Sequence, residues 1–198
     1  MIAYIQGTIT FKSPTHVIIE TGGMGYQVNI SLNTYTRIQN LEKCKLHIYL
    51  HISGGAQNPI MVSLYGFAEE IEKQMFVDLL SVSGVGASTV RMVLSALQPE
   101  DVARAIVMED VRQLEAIKGI GPKTAKRIIL ELKDKMAKLP MKNEKIGGTD
   151  NNKRDEALSA LIMLGYSRQN AEVAVQKIMA VQPSIPVEDI IKQVLKTI

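Results

Sequence analysis

A Gly-apolar-Gly tripeptide occurs twice in this chain, as Gly84-Val85-Gly86 and, thirty-five residues on, as Gly119-Ile120-Gly121. The flanking residues keep the same offset: Leu79 with Leu114, Val82 with Ile117, Thr89 with Thr124, and Leu97 with Leu132. In both copies an apolar helical stretch leads into the tripeptide and a second helix opens directly after it. Glycine permits a sharp turn and lets the backbone meet a ligand with no Cβ in between. The helix that follows begins with unpaired N–H groups at the positive end of its dipole, a natural place for an anion. Repeated main-chain donors of this kind suit the phosphate backbone of a nucleic acid, gripped without regard to base sequence. The candidate contacts in the first copy are Ser83, Gly84, Gly86, Ser88 and Arg91. In the second they are Lys118, Gly119, Gly121, Lys123, Thr124, Lys126 and Arg127. No acid interrupts the cations from Lys118 to Arg127, so the second copy is expected to hold more firmly.

Other chemistries are weaker. Gly121-Pro122-Lys123-Thr124 has a superficial likeness to a nucleotide-binding P-loop, but that motif needs Gly-Lys-Ser/Thr contiguous after a strand. Here proline intervenes and a helix precedes, so no ATPase site of the chain's own is expected, and no cofactor. His47 and His51 lie in a β-branched strand pattern without carboxylate or cysteine neighbours, which makes them barrel histidines rather than metal ligands. Glu69, Glu70 and Glu72 read as an acidic helix start that complements the dipole. No Ser/His/Asp or paired-carboxylate arrangement points to hydrolysis. A helix–hairpin–helix glycosylase or nuclease would need a catalytic carboxylate or lysine beside the hairpins, and Asp134, the nearest downstream acid, reads as a solvated charge. A barrel that binds single-stranded RNA would need exposed aromatics for stacking, whereas tryptophan is absent and the barrel has only Phe11 and scattered tyrosines.

The bulk numbers bound these readings. Net charge over 198 residues is only +3, and residues 68–136 carry ten Lys/Arg against eleven Asp/Glu. A nucleic-acid reading therefore rests on local placement rather than on global charge. Cys44 is the only cysteine, which excludes an internal disulfide or a cysteine-cluster metal site and fits a reducing cytoplasm. No signal peptide pattern opens the chain, and no stretch approaches the roughly 18 apolar residues of a membrane span. A soluble, cytoplasmic protein is expected.

The elements that must carry the repeat fall into a β part followed by α parts. Residues 1–67 hold five short β-branched segments, 3–11, 16–21, 26–32, 45–52 and 60–65, separated by turn signals. They predict a five-stranded barrel of the OB type, with a short helix near 31–41 and a looser turn over Gly54-Gly55 and Asn58-Pro59. At Gly66-Phe67 the period becomes helical. Pro99 and Pro122 sit where first-turn prolines belong, and Asp110 can cap a short helix. Residues 68–137 thus predict an all-α domain of about five helices carrying both hairpins. Residues 138–152 are polar, aperiodic and contain Gly147-Gly148, a flexible linker by composition. Residues 153–198 predict a small three-helix, UBA-like domain. Its first apolar face is Ala157, Leu158, Leu161, Ile162 and Leu164, and Gly165 is the first helix's C-cap. A tethered module of this size suits partner docking better than catalysis.

The start Met1-Ile2-Ala3-Tyr4-Ile5-Gln6-Gly7, the turn Gly22-Gly23-Met24-Gly25-Tyr26, the segment Leu64-Tyr65-Gly66-Phe67, both hairpins in order and the 157–166 stretch together resemble the RuvA family. The resemblance covers essentially the whole chain. It implies binding of four-way (Holliday) DNA junctions by a homotetramer, alone or as two tetramers face to face, with one hairpin pair per arm. It also implies that the ring-shaped ATPase RuvB docks on the C-terminal domain, around Leu164, Gly165 and Tyr166, and that the endonuclease RuvC resolves the junction. Two departures stand out. The family pattern has adjacent acids between the last two barrel strands, an acidic pin at the junction centre. Here the loop over 51–60 is longer, and no Asp or Glu occurs between Glu42 and Glu69, so a weaker electrostatic constraint on the crossover is expected. The first hairpin also has Ser88 where a lysine is common, which implies a weaker contact there.

Overall fold

The computed structural model describes residues 2–55, 58–137, 149–182 and 185–197. Two compact units form, residues 1–141 and 142–198. In the first, five strands close into a barrel in the order β1-β2-β3-β5-β4: β1 Tyr4–Lys12, β2 His16–Thr21, β3 Met24–Ile30, β4 Lys43–Gly55 and β5 Asn58–Phe67. All pairings are antiparallel except β3 with β5. The β-branched alternation turns Val17, Ile19, Val28, Ile30, Leu46 and Ile48 inward, each almost fully buried. Helix α1, Leu32–Ile38, joins β3 to β4 and starts at Ser31, whose hydroxyl accepts from the Thr34 amide.

Five helices follow: α2 Glu70–Leu80, α3 Ala87–Ala96, α4 Pro99–Val107, α5 Val111–Glu115 and α6 Pro122–Met136. Pro99 and Pro122 occupy first-turn positions, and Asp110 caps α5 by accepting from the Gln113 amide at 3.0 Å. The barrel and the helices each have a core of their own, and they are joined where Tyr65 and Phe67 at the end of β5 pack in the helical cluster. Phe76 of α2 meets Tyr49, Tyr65 and Phe67 at ring separations of 5.0 to 5.4 Å. Lys135 of α6 and Gln74 of α2 both donate to Oδ1 of buried Asp78, closing α6 onto α2.

A polar clasp fixes α1 to the helical half. The Ser31 and Thr34 hydroxyls donate to the two carboxyl oxygens of Glu72, and Thr34 accepts from the Ala68 amide at 3.0 Å. The Asn33 amide group donates to the carbonyls of Leu94 and Leu97 at 2.6 and 2.8 Å, where α3 ends. The acids that open α2 are thus more than dipole partners. Glu69 pairs with Arg37 at 2.7 Å, Glu70 with His47 at 2.5 Å, and Glu72 is 2 % exposed. His47, expected to lack a carboxylate neighbour, has one because α2 folds back onto β4.

Two further expectations change. The segment 51–60 is not a loop: the β4–β5 ladder continues through His51↔Ser63, Ile52↔Val62 and Ser53↔Met61 to Gly55↔Asn58. Gly54, at φ +110, absorbs an irregularity in the register, so the glycines lengthen the hairpin instead of ending it. Ala56 and Gln57 lie outside the described residues. Of the expected linker, 138–148 also lie outside them, while the last four residues belong to α7, which starts at Thr149. The second unit consists of α7 Thr149–Met163, α8 Arg168–Val181 and α9 Val187–Thr197 around Ala157, Leu161, Ala171, Val175, Ile190 and Val194. Ile162 and Leu164, read as core positions, are exposed.

Burial pushes the Glu72 carboxyl above its ordinary range, opposed by the Ser31 and Thr34 hydroxyls and by Arg37. A raised acid favours the folded state at low pH, and that contribution is lost as pH rises from about 4.3 through the raised value. Glu72→Gln should flatten the stability profile above about pH 4.3, measured as urea midpoints at successive pH values. Glu72→Ala, which strands two hydroxyls, should cost roughly 3 kcal/mol with an unchanged m-value.

Candidate nucleic-acid interface

The two tripeptides fold alike. In the first, the amides of Val82 and Val85 donate to the carbonyls of Leu79 and Val82. In the second, Ile117 and Ile120 donate to Leu114 and Ile117, the same bonds thirty-five residues later. Leu79, Val82 and Val85 on one side, and Leu114, Ile117 and Ile120 on the other, are buried in the shared core. This burial fixes the backbone above them.

The two glycines of each pair do different work. Gly84 and Gly119 make the turn, at φ +85 and +96, where an L side chain is strained. Gly86 and Gly121 precede α3 and α6 with extended backbone at φ −91, and neither helix start receives a side-chain cap. A Cβ built on Gly86 or Gly121 would meet nothing within 4 Å. The space in front of each helix start is therefore open, and its first amides face it without a partner in their own helix. An anion seated there would be held by main-chain donors and the helix dipole.

The hairpins also hold each other. A Cβ on Gly119 would lie 3.5 Å from Thr89 of α3, so the second turn abuts the first motif's helix. Conversely, Arg127 of α6 reaches the first turn, where its Nη1 donates to the Ser83 carbonyl at 2.9 Å. Arg127, assigned from sequence to the second hairpin, thus brings a cation to the first, which is poor in them. Thr89, matched with Thr124 in the repeat but not assigned to the site, is half-buried against the second turn, a contact that the repeat alone does not signal.

Ser83, Gly84, Gly86 and Ser88 are exposed around the first turn, and Lys118, Gly119, Gly121, Lys123, Lys126 and Arg127 around the second, with Thr124 half-buried. Lys118, Lys123 and Lys126 form no ion pair among the described residues. Lys73, Arg104, Lys133 and Lys135 on the neighbouring helices each hold a carboxylate, so within the helical part the lysines without an ion pair among the described residues are those around the second turn. Arg91 is placed differently from expectation. Its half-buried guanidinium donates to the Thr15 carbonyl at 3.2 Å and to Asn29 Oδ1 at 3.4 Å, tying α3 to the barrel. In the other unit the Gly165 turn closes α7 through Tyr166 N donating to the Leu161 carbonyl at 3.1 Å. Leu164 is 59 % exposed, whereas Tyr166 packs against the core. No group of three or more His, Cys, Asp or Glu that could hold a metal occurs among the described residues. No described helix is long and apolar enough to cross a membrane.

A closed five-stranded barrel fused to two reciprocally packed hairpins defines a tandem helix–hairpin–helix protein. Family models agree segment by segment: "RuvA N terminal domain" matches residues 1–66, "SAM-like Helix-hairpin-helix tandem" 76–134, and "RuvA, C-terminal domain" 152–198. The chain is 46% identical over 198 residues to the Holliday junction branch migration complex subunit RuvA of Flavobacterium psychrophilum, with all of both chains covered. It is 45% identical to the subunit of that name from Christiangramia forsetii and 43% to that from Bacteroides fragilis, each over 99% of both chains. The chain belongs to the RuvA family.

The division of labour between the glycines gives a sharp expectation. Gly84→Ala should lower stability by about 1–2 kcal/mol, because the alanine must take a left-handed conformation. Gly86→Ala should leave stability within about 0.5 kcal/mol yet weaken binding to a DNA duplex, since its methyl enters the space before α3. Urea melts paired with DNA titrations of both variants measure the two effects separately.

Proposed function

We propose that this chain binds four-way DNA junctions by shape, without regard to sequence, as a non-catalytic subunit of a branch-migration complex. The observation that carries the reading is the pair of open, uncapped helix starts at Gly86 and Gly121, backed by unpaired Lys118, Lys123 and Lys126. Main-chain amides meet phosphate oxygens and carry no base information, so specificity must come from how several such grips are arranged. Four copies would supply eight hairpins, a pair for each arm. The names of the full-length relatives support the junction as ligand and branch migration as the process.

In this reading Ser83, Gly84, Gly86 and Ser88 contact one strand of an arm and Gly119, Gly121, Thr124 and the lysines the other, with Arg127 between them and Arg91 as a tie to the barrel. The C-terminal unit docks the ATPase RuvB around Leu164, Gly165 and Tyr166, at the turn that follows α7, where Leu164 is 59 % exposed. RuvB hydrolyses ATP, RuvC cleaves, and this chain needs no cofactor. The domain limits 1–67, 68–137 and 153–198 correspond to centre, arm grip and motor dock. The assembly works in the cytoplasm, as a tetramer or as two tetramers face to face.

Gel shifts with four-way junction, duplex and single strand at equal salt test the reading: it requires preference for the junction, and equal affinity for the duplex overturns it. Lys123→Ala should weaken junction binding and lower the slope of log affinity against log salt by about 1, the counterions of one phosphate. An unchanged slope would show that Lys123 meets no phosphate.

A further inference from the structure

The two turns are alike in backbone but not in what holds them. At the second, a Cβ on Gly119 would lie 3.5 Å from Thr89, a packing contact. At the first, Arg127 Nη1 donates to the Ser83 carbonyl at 2.9 Å, and a Cβ on Gly84 would stand 3.6 Å from the same nitrogen. Thirty-five residues before Arg127 stands Met92, which has no donor to offer the Lys118 carbonyl. That carbonyl accepts no side-chain bond among the described residues. Arg127 in turn forms no ion pair there, although Glu131 lies one turn on along α6. An exposed arginine is thus directed at a backbone carbonyl of the other motif.

The Ser83 carbonyl and the Gly84 amide belong to one planar trans peptide, so they point in opposite directions. On either side of that peptide the turn is fixed: the Val82 and Val85 amides both donate within it, and the Val82 carbonyl accepts. The Gly84 amide has no acceptor among the described residues. Gly84 stands at φ +85, and glycine takes a negative φ about as readily. The Ser83–Gly84 peptide can therefore roll over at little steric cost, turning a carbonyl to where the amide had been. We propose that Arg127 is the positioning residue of the first turn: by holding the Ser83 carbonyl it locks this peptide, so that the Gly84 amide meets the phosphate. The second turn has Lys118, Lys123 and Lys126 to attract phosphate whatever its peptide does. The first has no lysine from Ser83 to Arg91 and relies on a fixed amide. Because the lock comes from α6, the first grip depends on the second motif being folded against it.

The proposal rests on the reading of both turns as phosphate grips, and one set of variants separates the two. The full chain is labelled with isotopic glycine and compared with Arg127→Met, the side chain that position 92 carries. In the free protein the Gly84 amide signal should shift and broaden in the variant, while that of Gly119 stays in place. On four-way junctions the variant should bind about tenfold more weakly, the scale of one charged hydrogen bond. Added to Gly86→Ala, where the first grip is already obstructed, Arg127→Met should weaken binding by less than about twofold, as expected of residues that act together. Added to Gly121→Ala, it should show its full effect. An unmoved Gly84 signal, or equal losses in the two glycine backgrounds, overturns the proposal and leaves the reading intact. Arg127→Lys keeps the charge without the planar fork. Native affinity in that variant with the Gly84 signal still displaced assigns Arg127 to the phosphate directly and also overturns the positioning role. If neither glycine variant alone weakens binding, the reading itself falls, and the positioning role with it.

Discussion

Everything in the proposed grip depends on keeping main-chain amides unpaired at a surface. An N–H without a partner is tolerated only where water or a ligand can reach it, and it is useful only if it points in a fixed direction. Both conditions are met by burying the residues just before it. Leu79, Val82 and Val85, with Leu114, Ile117 and Ile120, anchor the two turns in one core, while Gly86 and Gly121 leave open space ahead. Capping either helix with a serine or aspartate would add stability and fill the site. The protein leaves that stabilisation unused.

The same economy of position runs through the joint between barrel and helices. Helix α1 is short, yet it gathers Glu72, the Ala68 amide and the end of α3 within one turn of its own. Arg91 and Phe76 add contacts on either side of it. A barrel tied at several points cannot rock against the hairpins without breaking buried hydrogen bonds, each of which costs about 1–3 kcal/mol to strand. Forces on the barrel are thereby transmitted to the turns.

What was legible in the sequence was local. Strand alternation, the prolines at helix starts, the cap at Asp110 and the repeated tripeptide declare themselves within a few residues, and the structure has them in place. What was not legible depended on which surfaces meet. Glu72 looks like any helix-start acid until α1 folds over it, and Arg91 and Arg127 look like equal phosphate ligands until one is seen on the barrel and the other across at the first turn. Gly54-Gly55 and Asn58-Pro59 are turn signals by composition, but the ladder runs through them because a glycine can absorb an irregular register as well as end a strand. The start of α7 was hidden for a simpler reason: Thr149 to Asn152 are polar and show no face.

The reciprocal seating of the hairpins, each turn against the other motif's helix, approximates a local dyad. The two strands of a double helix are related by dyads as well, running in opposite directions across each groove. A surface with that symmetry offers the same amides whichever way round a duplex arm lies, so its geometry is blind to strand polarity. The uneven lysines break the equivalence, as does Arg127, whose counterpart thirty-five residues earlier is Met92. A grip of this kind has no preferred direction of travel, and any sense of direction has to be imposed from outside it.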